Sequence, residues 1–165
     1  MAQLPHSLTD FTGFVDGVGR AGKLTEGTPP KFSMEVEEYI AAGMGGSVDI
    51  PVGALEKMEC TFSMEGVEAD YYSHIGKSIG MTLRGSTNNG ESTQAVIYQM
   101  RGLVREADTD AMKRKARGMV KNVMTVEYCK VTIDGRVVIE ADVMGKKFVV
   151  DGTDLLAGQR AALGL

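Results

Sequence analysis

The sequence predicts a mainly β protein with one or two short helices, and three observations carry that reading. Apolar residues recur with a period of two across residues 31–40 and 56–66, the spacing of a strand with one dry and one wet face. Two longer stretches have the same character: 92–106, centred on Ala95-Val96-Ile97-Tyr98, and 117–133. Tight-turn residues punctuate them, at Asn88-Asn89-Gly90 and Asp134-Gly135, where positive φ is easily adopted.

Taken in order, residues 11–16 and 20–26 flank Gly17-Val18-Gly19 and read as a short hairpin. Thr28-Pro29-Pro30 breaks the chain. In the next strand Phe32, Met34, Val36 and Ile40 point one way, and Ser33, Glu35, Glu37 and Tyr39 the other. Residues 41–55 hold Gly43, Gly45, Gly46, Gly53 and Pro51 and read as a loop or loosely paired excursion. Residues 56–66 alternate again, with Met58, Cys60, Phe62 and Met64 inward and Glu59, Thr61, Ser63 and Glu65 outward. Residues 68–76 suit one or two helical turns stopped by Gly76. Residues 78–85 form a strand. Across 117–133, Val120, Met124, Val126 and Tyr128 share one face, with Lys121, Thr125 and Glu127 on the other. Residues 136–143 and 146–150 are short strands. Residues 154–163 suit a helix capped by Asp154 or Thr153.

A chain of 165 residues is expected to form one domain, 1–165, and to bury a core without staples. Its 43% hydrophobic and 24% charged residues exclude a disordered polymer. No apolar run reaches the ~18 residues of a membrane helix, and residues 1–10 lack a signal-peptide pattern. With two cysteines, Cys60 and Cys129, a disulfide scaffold is excluded and a reducing cytoplasm is the expected place of synthesis. Charge is uneven: residues 1–70 carry 12 acidic and 4 basic side chains, and residues 71–165 carry 10 and 14. Such a chain can meet copies of itself acid to base, or stay a charge-segregated monomer.

The motifs do not add up to catalysis. Gly17-x-Gly19-x-x-Gly22 matches a dinucleotide fingerprint, but Lys23-Leu24-Thr25-Glu26-Gly27 and two prolines supply no following helix. Gly76-Lys77-Ser78 lacks the rest of a phosphate-binding loop. His6 and His74 lie far apart, and Asp108-x-Asp110 lacks the other ligands of a calcium loop. Cys60 and Cys129 fall on or beside the apolar phase of strands, as buried thiols do. Glu35 and Glu37 share a strand face that reads as solvated. Lys113-Arg114-Lys115 with Arg117 and Lys121 is a basic run without interleaved aromatics, which suits a solvated or protein-contacting loop more than nucleic acid.

Several blocks in order carry a family resemblance. They are Phe14-Val15-Asp16-Gly17-Val18, Pro29-Pro30-Lys31-Phe32, and Glu37-Glu38-Tyr39-Ile40-Ala41-Ala42-Gly43-Met44. Met100-Arg101-Gly102-Leu103-Val104-Arg105-Glu106-Ala107-Asp108, Tyr128-Cys129-Lys130-Val131-Thr132-Ile133-Asp134-Gly135, Glu140-Ala141-Asp142, Asp151-Gly152-Thr153-Asp154-Leu155 and the terminal Leu163-Gly164-Leu165 continue it. Nearly end to end, the chain resembles the major tail tube protein of contractile-tailed bacteriophages and related R-type tailocins. Residues 78–93 are not distinctive, and 107–121 is more basic than the pattern.

The resemblance implies a β-barrel or sandwich tail-tube fold whose strands join between subunits into a ring-shaped inner barrel. It implies hexameric rings stacked head to tail inside a contractile sheath, with baseplate and tail-terminator proteins as further partners. The tube would lie in the virion tail, be assembled in the host cytoplasm, pierce the host envelope and pass DNA. No cofactor, metal, catalysis, stable nucleic-acid binding or membrane insertion is expected. Within that frame the glycine-rich excursion is the expected inter-ring arm, through Ala42, Gly43, Met44, Gly45, Gly46, Val48 and Ile50. Glu35, Glu37, Glu59, Thr61 and Ser63 are the expected lumen-facing residues, an acidic bore repelling phosphate. A DNA-free injection tube and a monomeric β-sandwich binding module are the alternatives.

Overall fold

Strand-forming sequence dominates the architecture. The computed structural model describes residues 5–165, so Met1–Leu4, part of the stretch without a signal pattern and of the single domain expected over 1–165, lie outside the described residues. Twelve strands and two short helices follow one another. They are β1 (Ser7–Val15), β2 (Val18–Gly19), β3 (Leu24–Thr28), β4 (Met34–Tyr39), β5 (Val48–Leu55), β6 (Met58–Glu65) and α1 (Ala69–Tyr72). Then come β7 (Ser78–Asn88), β8 (Thr93–Thr109), β9 (Met119–Ile133), β10 (Arg136–Asp142), β11 (Lys147–Val150), β12 (Thr153–Asp154) and α2 (Ala157–Leu163).

All pairings are antiparallel. The main sheet runs β12-β11-β10-β9-β8-β7-β1-β2. Strand β9 is long enough to hold two partners on one edge: Tyr128–Ile133 pairs with β10, while Met119–Val126 pairs with β6. Strand β3 adds to β6, pairing Thr28 with Thr61. This corrects the first expected hairpin. Its turn is Asp16-Gly17, both at positive φ, and its second strand is only the two residues of β2. The segment that follows, β3, leaves for β6 instead. A bond from the Arg20 N–H to the Gly13 carbonyl, 2.8 Å, ties the lead-in of β3 back to β1, so the sheet folds over on itself. Asp-Gly turns recur at Asp134-Gly135 and Asp151-Gly152, each with both residues at positive φ, as a two-residue hairpin of matching twist requires.

The core fills the fold with Met58, Cys60, Phe62 and Met64 of β6, Met81 of β7, Val120, Met124 and Val126 of β9, and Tyr71 of α1. Two bulges between β8 and β9 set its phase. Arg101 pairs with Tyr128 and Gly102 with Val126, which leaves Glu127 as an extra residue; Arg105 is extra in the same way. Beyond Glu127 the inward residues are therefore Cys129 and Val131, and Tyr128 turns to the opposite face, where its hydroxyl donates to Glu140 at 3.2 Å. The expected grouping of Tyr128 with Val126 fails for this reason. Gly102 is buried where the strands come closest: a methyl there would overlap the Thr125 carbonyl oxygen.

Helix α1 is the single turn that the lower expectation allowed, but it ends at Tyr72 with Ser73 as C-cap, and Gly76 instead donates its N–H to the Val104 carbonyl at 2.8 Å; α2 is shorter than expected. Helix α2 begins after Leu156, because Thr153 and Asp154 pair with β11. Asp154 still braces the helix. Its carboxylate accepts the Leu156 and Phe148 N–H groups and holds Arg160 at 2.6 Å.

Candidate assembly surfaces

Strands β4 and β5 form a separate two-stranded ribbon with no third strand on either edge. The excursion expected over 41–55 is thus half turn and half strand: residues 40–47 make the tip, and Val48–Leu55 pairs back along β4. The root of the ribbon is fixed to the body. Glu56 donates its N–H to the Ser33 carbonyl at 2.9 Å, and Phe32 stacks on Phe148 with centroids 6.5 Å apart. Lys146 and Gln159 donate to the Gly53 and Val52 carbonyls, each at 3.3 Å. Just there the register slips, Met34 facing Leu55 but Val36 facing Pro51. Gly53 sits in this bulge at φ +74°, a conformation that a side chain resists.

Beyond the root the ribbon is bare. Ala42, Gly43, Met44, Gly45, Gly46, Val48 and Ile50 are all exposed, as are Val36, Tyr39, Ile40 and Val52. The apolar face read for 31–40 is therefore dry only at Phe32 and Met34, which pack against the core; Val36 and Ile40 are 46% and 65% exposed. An apolar side chain covered at an interface contributes on the order of 1 kcal/mol or more, so this ribbon gains stability from a neighbour.

Register also mixes the faces. Glu37 stands opposite Ile50, and Tyr39 opposite Val48, so Glu35 and Glu37 share a face with apolar partners from β5. Glu59 and Thr61 lie elsewhere, half-buried on β6. Lys57 at 2.7 Å and Arg105 at 2.9 Å flank Glu59, and the Lys57 hydrogen bond leads in holding its carboxyl below the usual range. Ser63 is 3% exposed, so its side chain is buried within the subunit rather than on an open face, and its carbonyl accepts a hydrogen bond from Thr25 at 3.2 Å. The structure thus brings Glu35 and Glu37 together on the ribbon and leaves Glu59 and Thr61 apart on β6. Sequence reasoning missed the acidic pair Glu38 and Asp49, which stand directly opposite each other. Only the strand pairing reveals it.

At the far end of β6 lies residue stretch 110–118, which joins β8 to β9 and carries the basic run. Lys113, Arg114 and Lys115 are exposed and make no salt bridge among the described residues; Arg117 reaches Glu65 at 3.3 Å. Burial pushes both thiols, Cys60 and Cys129, up to about 12. Among the described residues no group of His, Cys, Asp and Glu is placed to hold a metal ion, and no helix is long and apolar enough to cross a membrane.

These features define a structural β subunit whose conspicuous surfaces are an unpaired ribbon and a basic loop. Comparison with known proteins is specific: the family model for phage tail tube protein FII matches residues 5–164, and the chain belongs to that family. It is 28% identical over 170 residues to the tail tube protein of Escherichia phage P2, covering 98% of this chain and 99% of that one. It is also 28% identical over 167 residues to the major tail tube protein of Serratia phage KSP20, covering 98% of each. The protein is a structural component of a phage tail tube.

Proposed function

We propose that this subunit closes into hexameric rings that stack head to tail inside a contractile sheath, forming the conduit through which DNA leaves the virion. The observation that carries the reading is the β4–β5 ribbon, which exposes both strand edges and a row of apolar side chains that gain burial only against a neighbour. Head-to-tail contacts either close into rings or run on as helices, and a stacked tube uses both. In this assembly the ribbon tip, from Ala42 to Ile50, reaches the adjacent ring. Glu35, Glu37, Glu59 and Thr61 face the bore, where the Glu35 and Glu37 carboxylates repel the phosphate backbone and let the duplex slide, while Glu59 is held by Lys57 and Arg105. Sheath, baseplate and tail-terminator proteins complete the set of partners. Synthesis and assembly take place in the host cytoplasm.

Electron microscopy of the purified protein over a concentration series, with and without baseplate, tests this. Hollow six-fold rings and tubes are the expected result, and excising residues 41–47 should leave rings that fail to stack. Monomers under every condition would return the chain to the monomeric binding module.

A further inference from the structure

The acidic pair on the ribbon is uncompensated among the described residues. Glu38 and Asp49 are directly opposite on adjacent strands, and both are exposed. Like charges in that position repel and weaken the pairing. No lysine or arginine occurs anywhere from residue 32 to residue 55, and neither carboxylate has a salt-bridge partner among the described residues. The nearest basic side chains in sequence, Lys31 and Lys57, are engaged with Glu56 and Glu59. A ribbon that keeps this repulsion needs cations from outside.

The loop at 110–118 offers them. Lys113, Arg114 and Lys115 are consecutive, exposed and without salt-bridge partners among the described residues. Lys113 and Arg114 line a cleft together with Val67, Tyr72, Asp110 and the 97% exposed Met112, and Lys115 follows directly in sequence. The ribbon and the loop lie at opposite ends of β6: Met58 follows the ribbon root, while Glu65 leads to Gly66, whose N–H bonds the Gly118 carbonyl at 2.9 Å. Eight residues of strand separate the ribbon root from the loop by roughly 25 Å, and no salt bridge joins ribbon and loop among the described residues.

We propose that the occupant of this cleft is the ribbon of a second copy of this chain, one ring away. Its apolar tip, Ile40 and Met44, enters between Val67, Tyr72 and Met112, and its Glu38–Asp49 pair meets the Lys113–Lys115 rim. This rests on the ring-stacking reading and names the surface that receives the arm.

Charge exchange tests it. One variant carries Glu38→Lys and Asp49→Lys, a second carries Lys113→Glu, Arg114→Glu and Lys115→Glu, and a third carries all five changes. Each of the first two should form rings but cut the mass in stacked tubes by about tenfold or more, and the third should restore it to within about threefold. A second measurement does not depend on those variants folding. Met44→Cys with Met112→Cys, oxidised in assembled wild-type background, should give a ladder of disulfide-linked copies, and either change alone should give dimers at most. Stacking unaffected by the reversals, no rescue in a folded five-fold variant, or no ladder would each overturn the docking while rings and tubes of the wild type stand. A wild type that forms neither rings nor tubes, baseplate included, would overturn the stacking reading and the docking with it.

Discussion

Asp154 shows how one carboxylate holds the last quarter of the chain together. Burial alone would push its carboxyl up; the Arg160 guanidinium and the N–H groups of Leu156 and Phe148 outweigh that and hold it below the ordinary carboxylate range. Glu140 is lowered in the same direction, chiefly by its hydrogen bond from Lys147. A group whose pKa falls on folding stabilises the folded state above its unfolded value, near 4, and loses that contribution as pH drops through the folded value. At pH 7 Asp154→Asn should therefore cost roughly 1 kcal/mol, judged by the urea midpoint, and the gap to wild type should narrow as pH falls below the unfolded value near 4. A gap of constant size from pH 7 to 3 would mean that the charge is not what matters there. The two thiols pose the opposite case: at about 12, neither ionises at physiological pH, so both are packing groups.

At the scale of elements, the bulges decide what the strands present. Gly102 allows β8 and β9 to approach within backbone contact, and Glu127 then shifts the phase so that Cys129 and Val131 continue the core that Met124 and Val126 began. Gly102→Ala forces the strands apart at this point and should destabilise the subunit by about 1–3 kcal/mol, seen as a lower urea midpoint with an unchanged slope. The bulges also explain which features the sequence revealed. Period-two alternation marked β6 and the first part of β9 because each keeps one phase, and Asp134-Gly135 marked the β9–β10 turn because the backbone there needs two positive φ angles. Tyr128 was misplaced because a one-residue insertion is invisible in a pattern of alternation. The departure of β3 for β6 depends on pairing between strands some forty residues apart, which no local signal encodes. The facing of Glu38 and Asp49 depends on how Val36 and Pro51 align around a bulge, and is equally non-local.

Across the whole molecule, β6 separates the ribbon with its acidic pair from the loop with its basic run. Exposed charges of this kind are screened over about 8 Å at physiological ionic strength, whereas the methionine-rich core is not. Raising sodium chloride from 0.1 to 1 M is therefore expected, as an order-of-magnitude effect of that screening, to shift the concentration at which tubes form upward severalfold, while the subunit's own melting temperature barely moves. Light scattering and calorimetry on the same samples read the two quantities separately. Equal movement of both would place the salt-sensitive contacts inside the subunit.

The separation of ribbon and loop by the length of β6 has one more consequence. Any head-to-tail column of such subunits is a directional filament whose two faces are chemically unlike. One terminus displays uncovered carboxylates and methionine, and the other a notch that holds Val67 and Met112 with Lys113 and Arg114 at its edge. Elongation at the two termini then proceeds by different encounters, and a protein that starts the column cannot be the one that finishes it: the first must imitate one face, the second its complement.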